Sequence, residues 1–218
     1  MNRFGSCAAG AAIVALAVSA AGCAPKAPDY QSILSKTQTT STTTPTAKPV
    51  PLSQYLQSIG VTGQPVAPGS VPGLTISIPT PQGWAPFTSP NITPQTLIIS
   101  KGGKFPTARL VVFQLNGDFD PAEVIKHGND DAHLFENFKQ LDASGAPYNG
   151  FPSSMIQGSY DLDGMRLHSW NRIVIPTGPP PDRKRYLVQL TITSMANQAA
   201  AESTDIDAII RGFVVAAK

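Results

Sequence analysis

From residue 52 onward the chain alternates between two kinds of apolar spacing, and each predicts an element. "PLSQYLQSIGV" places Leu52, Tyr55, Leu56 and Ile59 at helical intervals with Gly60 as a stop, which predicts a short amphipathic helix. "LTISIPTPQGW" then alternates Leu74, Ile76 and Ile78, and Pro79, Pro81 and Gly83 end that strand ahead of Trp84. "TLIISK" and "ARLVVFQL" predict two further strands joined through the "GGKFP" turn; the near-continuous apolar run of the second predicts a central place covered on both sides.

Over "DFDPAEVIKHGNDDAHLFENFKQL" the period becomes helical. Asp120 is the candidate N-cap, Pro121 suits the first helical position and Glu123 completes a capping box. Val124, Leu134, Phe135 and Phe138 form the apolar stripe, with Gly128 as a break or kink. "FPSSMIQGSYDL" and "MRLHSWNRIVI" then flank Asp163-Gly164, a dipeptide suited to the mirror-image turn of a long hairpin. "RYLVQLTITS" is the cleanest strand, with Tyr186, Val188, Leu190 and Ile192 on one face. "STDIDAIIRGFVVAA" reads as a closing helix capped by Ser203 or Thr204, with Ile206, Ile209, Ile210 and Phe213 inward. Hairpin-joined strands with helices before, midway and after them predict one α+β domain over residues 52–218. It is a mainly antiparallel, twisted sheet with helices on both faces.

The first 51 residues follow other rules. Arg3, an apolar stretch over residues 8–18 and then Ser19, Ala20, Ala21 and Gly22 before Cys23 have the three parts of an export signal. An alanine-rich run this short is a poor bilayer span, which needs roughly 20 strongly apolar residues. Residues 1–22 are therefore expected to be removed between Gly22 and Cys23; a plain secretory signal or an uncleaved anchor are the other readings. Residues 23–51, rich in Thr and Pro, are expected to be a disordered tether, because they bury too little surface to offset chain entropy. As a flexible coil of about 28 residues such a tether reaches roughly 30 Å. The Thr run over residues 39–46 is a spacer on this reading, with O-linked sugar as the second possibility.

Composition removes several function classes. With 16 basic and 14 acidic residues the formal charge is +2, and losing Arg3 leaves about +1, so no nucleic-acid footprint is present. The one dense cluster, Arg183, Lys184 and Arg185, reads as a solvated loop before a strand, with contact to acidic lipid headgroups as the second reading. The only cysteines, Cys7 and Cys23, precede the domain, which excludes an internal disulfide or a Cys-based metal site there.

The search for chemistry predicts no catalytic set, metal or cofactor. His127, His133 and His168 lack the spacing of a zincin helix, and neither a G-x-S-x-G elbow nor a Gly-rich phosphate loop is present. Asp130-Asp131 lacks alternating oxygen ligands, and Asp161 and Asp163 flank a turn. Aromatic residues such as Trp84, Trp170 and Tyr148 suit core packing, or the wall of a ligand cleft. Arg166, His168, Trp170 and Arg172 share one strand face by period two, and this mix of cations and a ring is the candidate contact surface.

Two resemblances add to this reading. Ala20-Ala21-Gly22-Cys23 resembles the bacterial lipoprotein box, with Ala20 where the pattern prefers Leu. That resemblance implies a diacylglycerol thioether on Cys23, and two or more acyl chains make a firm anchor at about 0.8 kcal/mol per buried methylene. Together with the Thr/Pro tether, "VPLSQYLQSIGVTGQPVAP", "LTISIPTPQGWAP" and "NGFPSSMIQGSYDLDGMRLHSWNRIV", the chain resembles the mycobacterial LpqN/LpqT lipoprotein family, nearer its LpqT branch. The resemblance implies a PsbP-like α/β/α sandwich on the extracytoplasmic face of the cell membrane, and it brings no catalytic motif. The partners it implies are the plasma membrane through acylated Cys23, an envelope lipid or glycolipid, and a membrane transporter. The expected function is a non-catalytic binding module; the alternative is a cell-envelope hydrolase or transferase.

Overall fold

A computed structural model describes residues 48–218; the expected leader, Cys23 and most of the expected tether lie outside the described residues. The chain opens with helix α1 (Leu52–Ser58), which buries Leu52 and Leu56 one turn apart and ends as Gly60 adopts a positive φ of 74°. Eight strands then make one antiparallel sheet among the described residues. They are β1 (Thr62–Pro65), β3 (Ala85–Pro86), β4 (Leu97–Ser100), β5 (Thr107–Asn116), β6 (Lys139–Ser144), β7 (Ser153–Leu162), β8 (Met165–Val174) and β9 (Arg185–Met195). The order is β3-β4-β5-β9-β8-β7-β6, with β1 also paired to β5. Asp163 and Gly164 hold φ of 51° and 73°, the left-handed pair that the β7–β8 hairpin turn requires.

The sheet is covered on both sides, as the sequence pattern predicts, but unequally. On one face, called closed below, Leu110, Val112, Trp170, Val188, Leu190 and Ile192 form a large core with Ile206 and Ile209 of helix α4 (Ser203–Gly212). A two-stranded ribbon of β2 (Leu74–Ser77) and β10 (Val214–Ala217) adds Leu74, Ile76 and Val215 to the same core. On the other, open face, α1 and Val124 pack over Leu115, Ile173 and Leu187 at one end of the sheet. Strand β5 is accordingly sealed on its closed side at Ala108, Leu110 and Val112, whereas its other side runs from exposed Arg109 to buried Leu115.

Several local expectations are corrected. Residues 120–141 do not form one helix. They form short turns, α2 (Pro121–Val124), a 3-10 turn (Ile125–His127) and α3 (Asp130–His133), and then strand β6. Asp120 caps α2 through Ala122 N–H at 2.8 Å as expected, but Glu123 does not complete a capping box: both its carboxylate oxygens accept from Lys126 Nζ at 2.7 Å. Gly128 then packs so close to β7 that a Cβ there would fall 2.1 Å from Ser154 Oγ, and Asn137 turns the chain at φ 50° into β6. Leu134 and Phe135, expected in an inward stripe, are exposed. The closing helix ends at Gly212, and residues 214–217 pair with β2 instead, because the apolar run is needed at the ribbon. Ser203 does not cap α4 either; Glu202 precedes the helix and Ser203 Oγ donates back to Ala200 O at 2.8 Å.

Candidate functional site

The open face holds a cavity of about 380 Å³ between α1 and the sheet. Its walls follow from two periodicities meeting: Leu52 and Leu56 from the helix, and Phe113, Leu115, Ile173 and Leu187 from alternate positions of β5, β8 and β9. The volume lies within the range of small-molecule pockets, which combine apolar walls with a few placed polar groups. Gln189 supplies such a group, and its Nε2 donates to Asn171 Oδ1 at 2.8 Å. Thr191 Oγ1 donates to the same oxygen at 2.8 Å, so a row of uncharged amide and hydroxyl groups continues the apolar wall along the open face.

The helical wall is fastened from outside. Pro51 precedes α1 and offers no side-chain cap, so the first N–H groups of the helix lack an internal partner. Asp131 accepts from Leu52 N–H at 3.1 Å, supplying from another segment what an N-cap residue would supply locally. His127 stacks on Tyr55 with ring centroids 3.8 Å apart, and its Nδ1 lies 2.9 Å from Asp130. The acidic pair that sequence reading set aside as a poor cation loop thus anchors the cavity wall. Nothing in its spacing announces this, since the partner lies 79 residues away. The cavity walls were legible only as apolar helix and strand positions.

The strand face expected to form a contact surface is assembled as one row, but the row lies on the closed side. His168 and Trp170 are 7% and 6% exposed, and His168 Nε2 is 2.9 Å from Gln157 Nε2. Burial lowers the His168 pKa, because the charged imidazolium is disfavoured away from water. Arg166 bonds Asp161 at 3.0 Å, Ser159 Oγ at 2.7 Å and Asn137 O at 2.9 Å. Arg172 differs: its guanidinium donates to Ser153 Oγ at 3.0 Å and lies 5.0 Å from the Tyr148 ring and 5.5 Å from the Trp170 ring.

Trp84 and Tyr148 belong mainly to the core and its fastening. Trp84 Nε1 donates to Asp205 at 3.1 Å, and Lys101 joins the same carboxylate at 2.6 Å, which together hold the Asp205 pKa below its ordinary value. Tyr148 Oη donates to Phe213 O. Among the described residues no three His, Cys, Asp or Glu side chains gather as metal ligands, and no helix is long and apolar enough to cross a membrane.

Comparison with known proteins agrees with this architecture. The family described as "Probable lipoprotein LpqN" matches residues 48–216. The lipoprotein LpqT of Mycobacterium leprae is 73% identical over 208 residues, covering 95% of each chain. LpqT of Mycobacterium tuberculosis H37Rv is 64% identical over 208 residues, 95% of this chain and 92% of that one. A crystal structure of LpqN, involved in cell envelope biogenesis of Mycobacterium tuberculosis, superimposes with a TM-score of 0.64. It is 19% identical and covers 78% of this chain and 99% of its own, a likeness of fold. LpqT and LpqN are named as lipoproteins, without a reaction in their names. With the match spanning nearly the whole described domain and LpqT identity this high, the chain belongs to the mycobacterial LpqN/LpqT family of cell-envelope lipoproteins, on its LpqT side.

Proposed function

We propose that this envelope lipoprotein is a non-catalytic binding module that takes the apolar part of an envelope lipid or glycolipid into the cavity beneath α1. The carrying observation is the cavity itself: about 380 Å³, walled by Leu, Val, Phe and Ile side chains, with Gln189 at its polar side. Its remaining polar lining, Ser53 and Asp131, is not arranged as a nucleophile on a base, since Asp131 is engaged by the Leu52 N–H. That lining favours binding over hydrolysis or group transfer. Membrane association follows from the lipoprotein family, and on this reading acylated Cys23 holds the chain to the extracytoplasmic face of the plasma membrane. A membrane transporter would be the partner that loads or unloads the domain.

Native mass spectrometry of the full chain, extracted from its own envelope in mild detergent, tests the reading. The wild type is expected to carry lipid-sized adducts, and Leu56→Trp, which fills the cavity, is expected to lose them. Equal adducts on both, or none on a folded wild type, would refute the cavity as the site. Labelling with an alkynyl fatty acid tests the anchor separately: wild type is marked and Cys23→Ser is not.

A further inference from the structure

The three half-buried arginines among the described residues are balanced in different ways. Arg166 pairs with Asp161 at 3.0 Å, and Arg185 lies 4.0 Å from Asp118 and donates to Phe119 O. Arg172 has no carboxylate partner among the described residues, although it is flanked by buried Met155 on β7 and Leu190 on β9. Among the described residues its one hydrogen bond uses Nη1, to Ser153 Oγ. The Nε atom is buried and has no partner among them, and Nη2 makes no bond to them.

The vacant edge has a definite chemistry. Nε–H and Nη2–H of a guanidinium run parallel at the spacing of two oxygens of a phosphate or carboxylate, the geometry of bidentate recognition. An unpaired buried donor on a charged group is costly, and the two aromatic rings offset only part of that cost. Ser153 Oγ occupies Nη1, on the far side of the guanidinium, and so leaves the Nε–Nη2 edge clear. The edge therefore presents two donors, and no acid among the described residues receives them.

Access follows from the loop above. Tyr148 covers the guanidinium from residues 145–150, and this segment is tied down by Tyr148 Oη to Phe213 O and by Asn149 Nδ2 to Val215 O at 3.2 Å. Gly145 and Gly150 mark its two ends, and uncovering the edge takes a displacement of this loop that gives up those two bonds while the sheet stays paired.

We propose that the Nε–Nη2 edge of Arg172 is a binding site for a phosphate group on the closed face, separate from the apolar cavity. Free phosphate and a lipid phosphate headgroup share this chemistry. They are distinguished by titrating the full chain, solubilised in uncharged detergent, with inorganic phosphate and with dihexanoyl phosphatidic acid by calorimetry. Dihexanoylglycerol, which lacks phosphate, reports separately on the apolar cavity of the other face. Saturable binding of both phosphate probes, weakened about tenfold or more in Arg172→Gln and in Arg172→Lys but unchanged in Arg166→Gln, supports a site for free phosphate. The same losses confined to phosphatidic acid support a headgroup site. If Arg172→Gln fails to fold by circular dichroism, Arg172→Lys, which keeps stem and charge but not the fork, decides alone. No saturable binding of either phosphate probe, or wild-type affinity in Arg172→Lys or in folded Arg172→Gln, overturns the proposal.

Discussion

The two faces of this sheet are built from the same strands and packed by different means. On the closed face a ten-residue helix and a two-stranded ribbon meet alternate positions of β5, β8 and β9, and Leu110, Val188, Leu190 and Ile209 lose all contact with water. On the open face a seven-residue helix and three short turns must do the same work, and they cover only one end. A helix of two turns contributes two buried leucines, each worth about 1.5–3 kcal/mol relative to exposure, and cannot close a surface that a longer element would fill. The contrast teaches that the cavity is the consequence of a short cover over a flat apolar floor. Buried core is concentrated on one face and the apolar cavity lies on the other.

The largest expected effect tests that division directly. Leu190→Ala on the closed face should cost about 2–5 kcal/mol, and Leu56→Ala beside the cavity less, because its neighbours already border free space. Urea unfolding of both variants checks this, and equal losses would break the comparison. A middle effect concerns a tight spot on the open side: a Cβ on Gly158 would lie 2.5 Å from Phe138 and 2.7 Å from Lys139 O. Gly158→Ala should therefore destabilise by about 1–3 kcal/mol, read as a lowered melting temperature, since backbone has to shift.

Smaller still is the fastening of α1. Asp131→Ala should cost about 1 kcal/mol or less overall and should raise amide hydrogen exchange in residues 52–58 selectively. Unchanged exchange there would show that the leucines alone hold the wall.

The smallest effect is a pH dependence from the closed face. His168 has its pKa lowered by burial, so the unfolded chain binds the proton more readily than the folded one. Its neutral form favours folding fully above the ordinary value of about 6.5, and this contribution fades as pH falls from there through the folded pKa. Glu202, whose pKa is raised mainly by burial, acts in the opposite direction over the same descent. Comparing His168→Gln with wild type isolates the histidine: between pH 7.5 and 5.5 the wild type should lose more of its urea midpoint than the variant. Parallel curves would remove His168 from the account.

Much of the framework was legible in local patterns. Tyr186, Val188, Leu190 and Ile192 alternate into the closed core as their spacing predicts, and Asp163-Gly164 turns the hairpin that its conformational preference predicts. Residues 120–141 misled for a physical reason: their helical period is real over single turns, but Gly128 must pass close to β7 and strand pairing claims the remainder. Phe213 misled similarly, lying inward as expected yet at the point where helix gives way to strand. The candidate row from Arg166 to Arg172 was placed correctly on one strand face, while its burial depended on what lay across it.

By itself the sequence determined the elements whose signals act over a few residues: the α1 stripe, the alternating strands, the hairpin turn, and the α+β class that follows from their order. Tertiary structure alone decided which surfaces meet. It paired β10 with a strand near the start of the domain, laid Asp131 on the first turn of α1, left Arg172 without an acid among the described residues, and opened a cavity under a short helix. Periodicity and turn chemistry reside in neighbouring backbone and side-chain sterics, whereas burial and charge pairing depend on segments that approach one another only after the chain has folded.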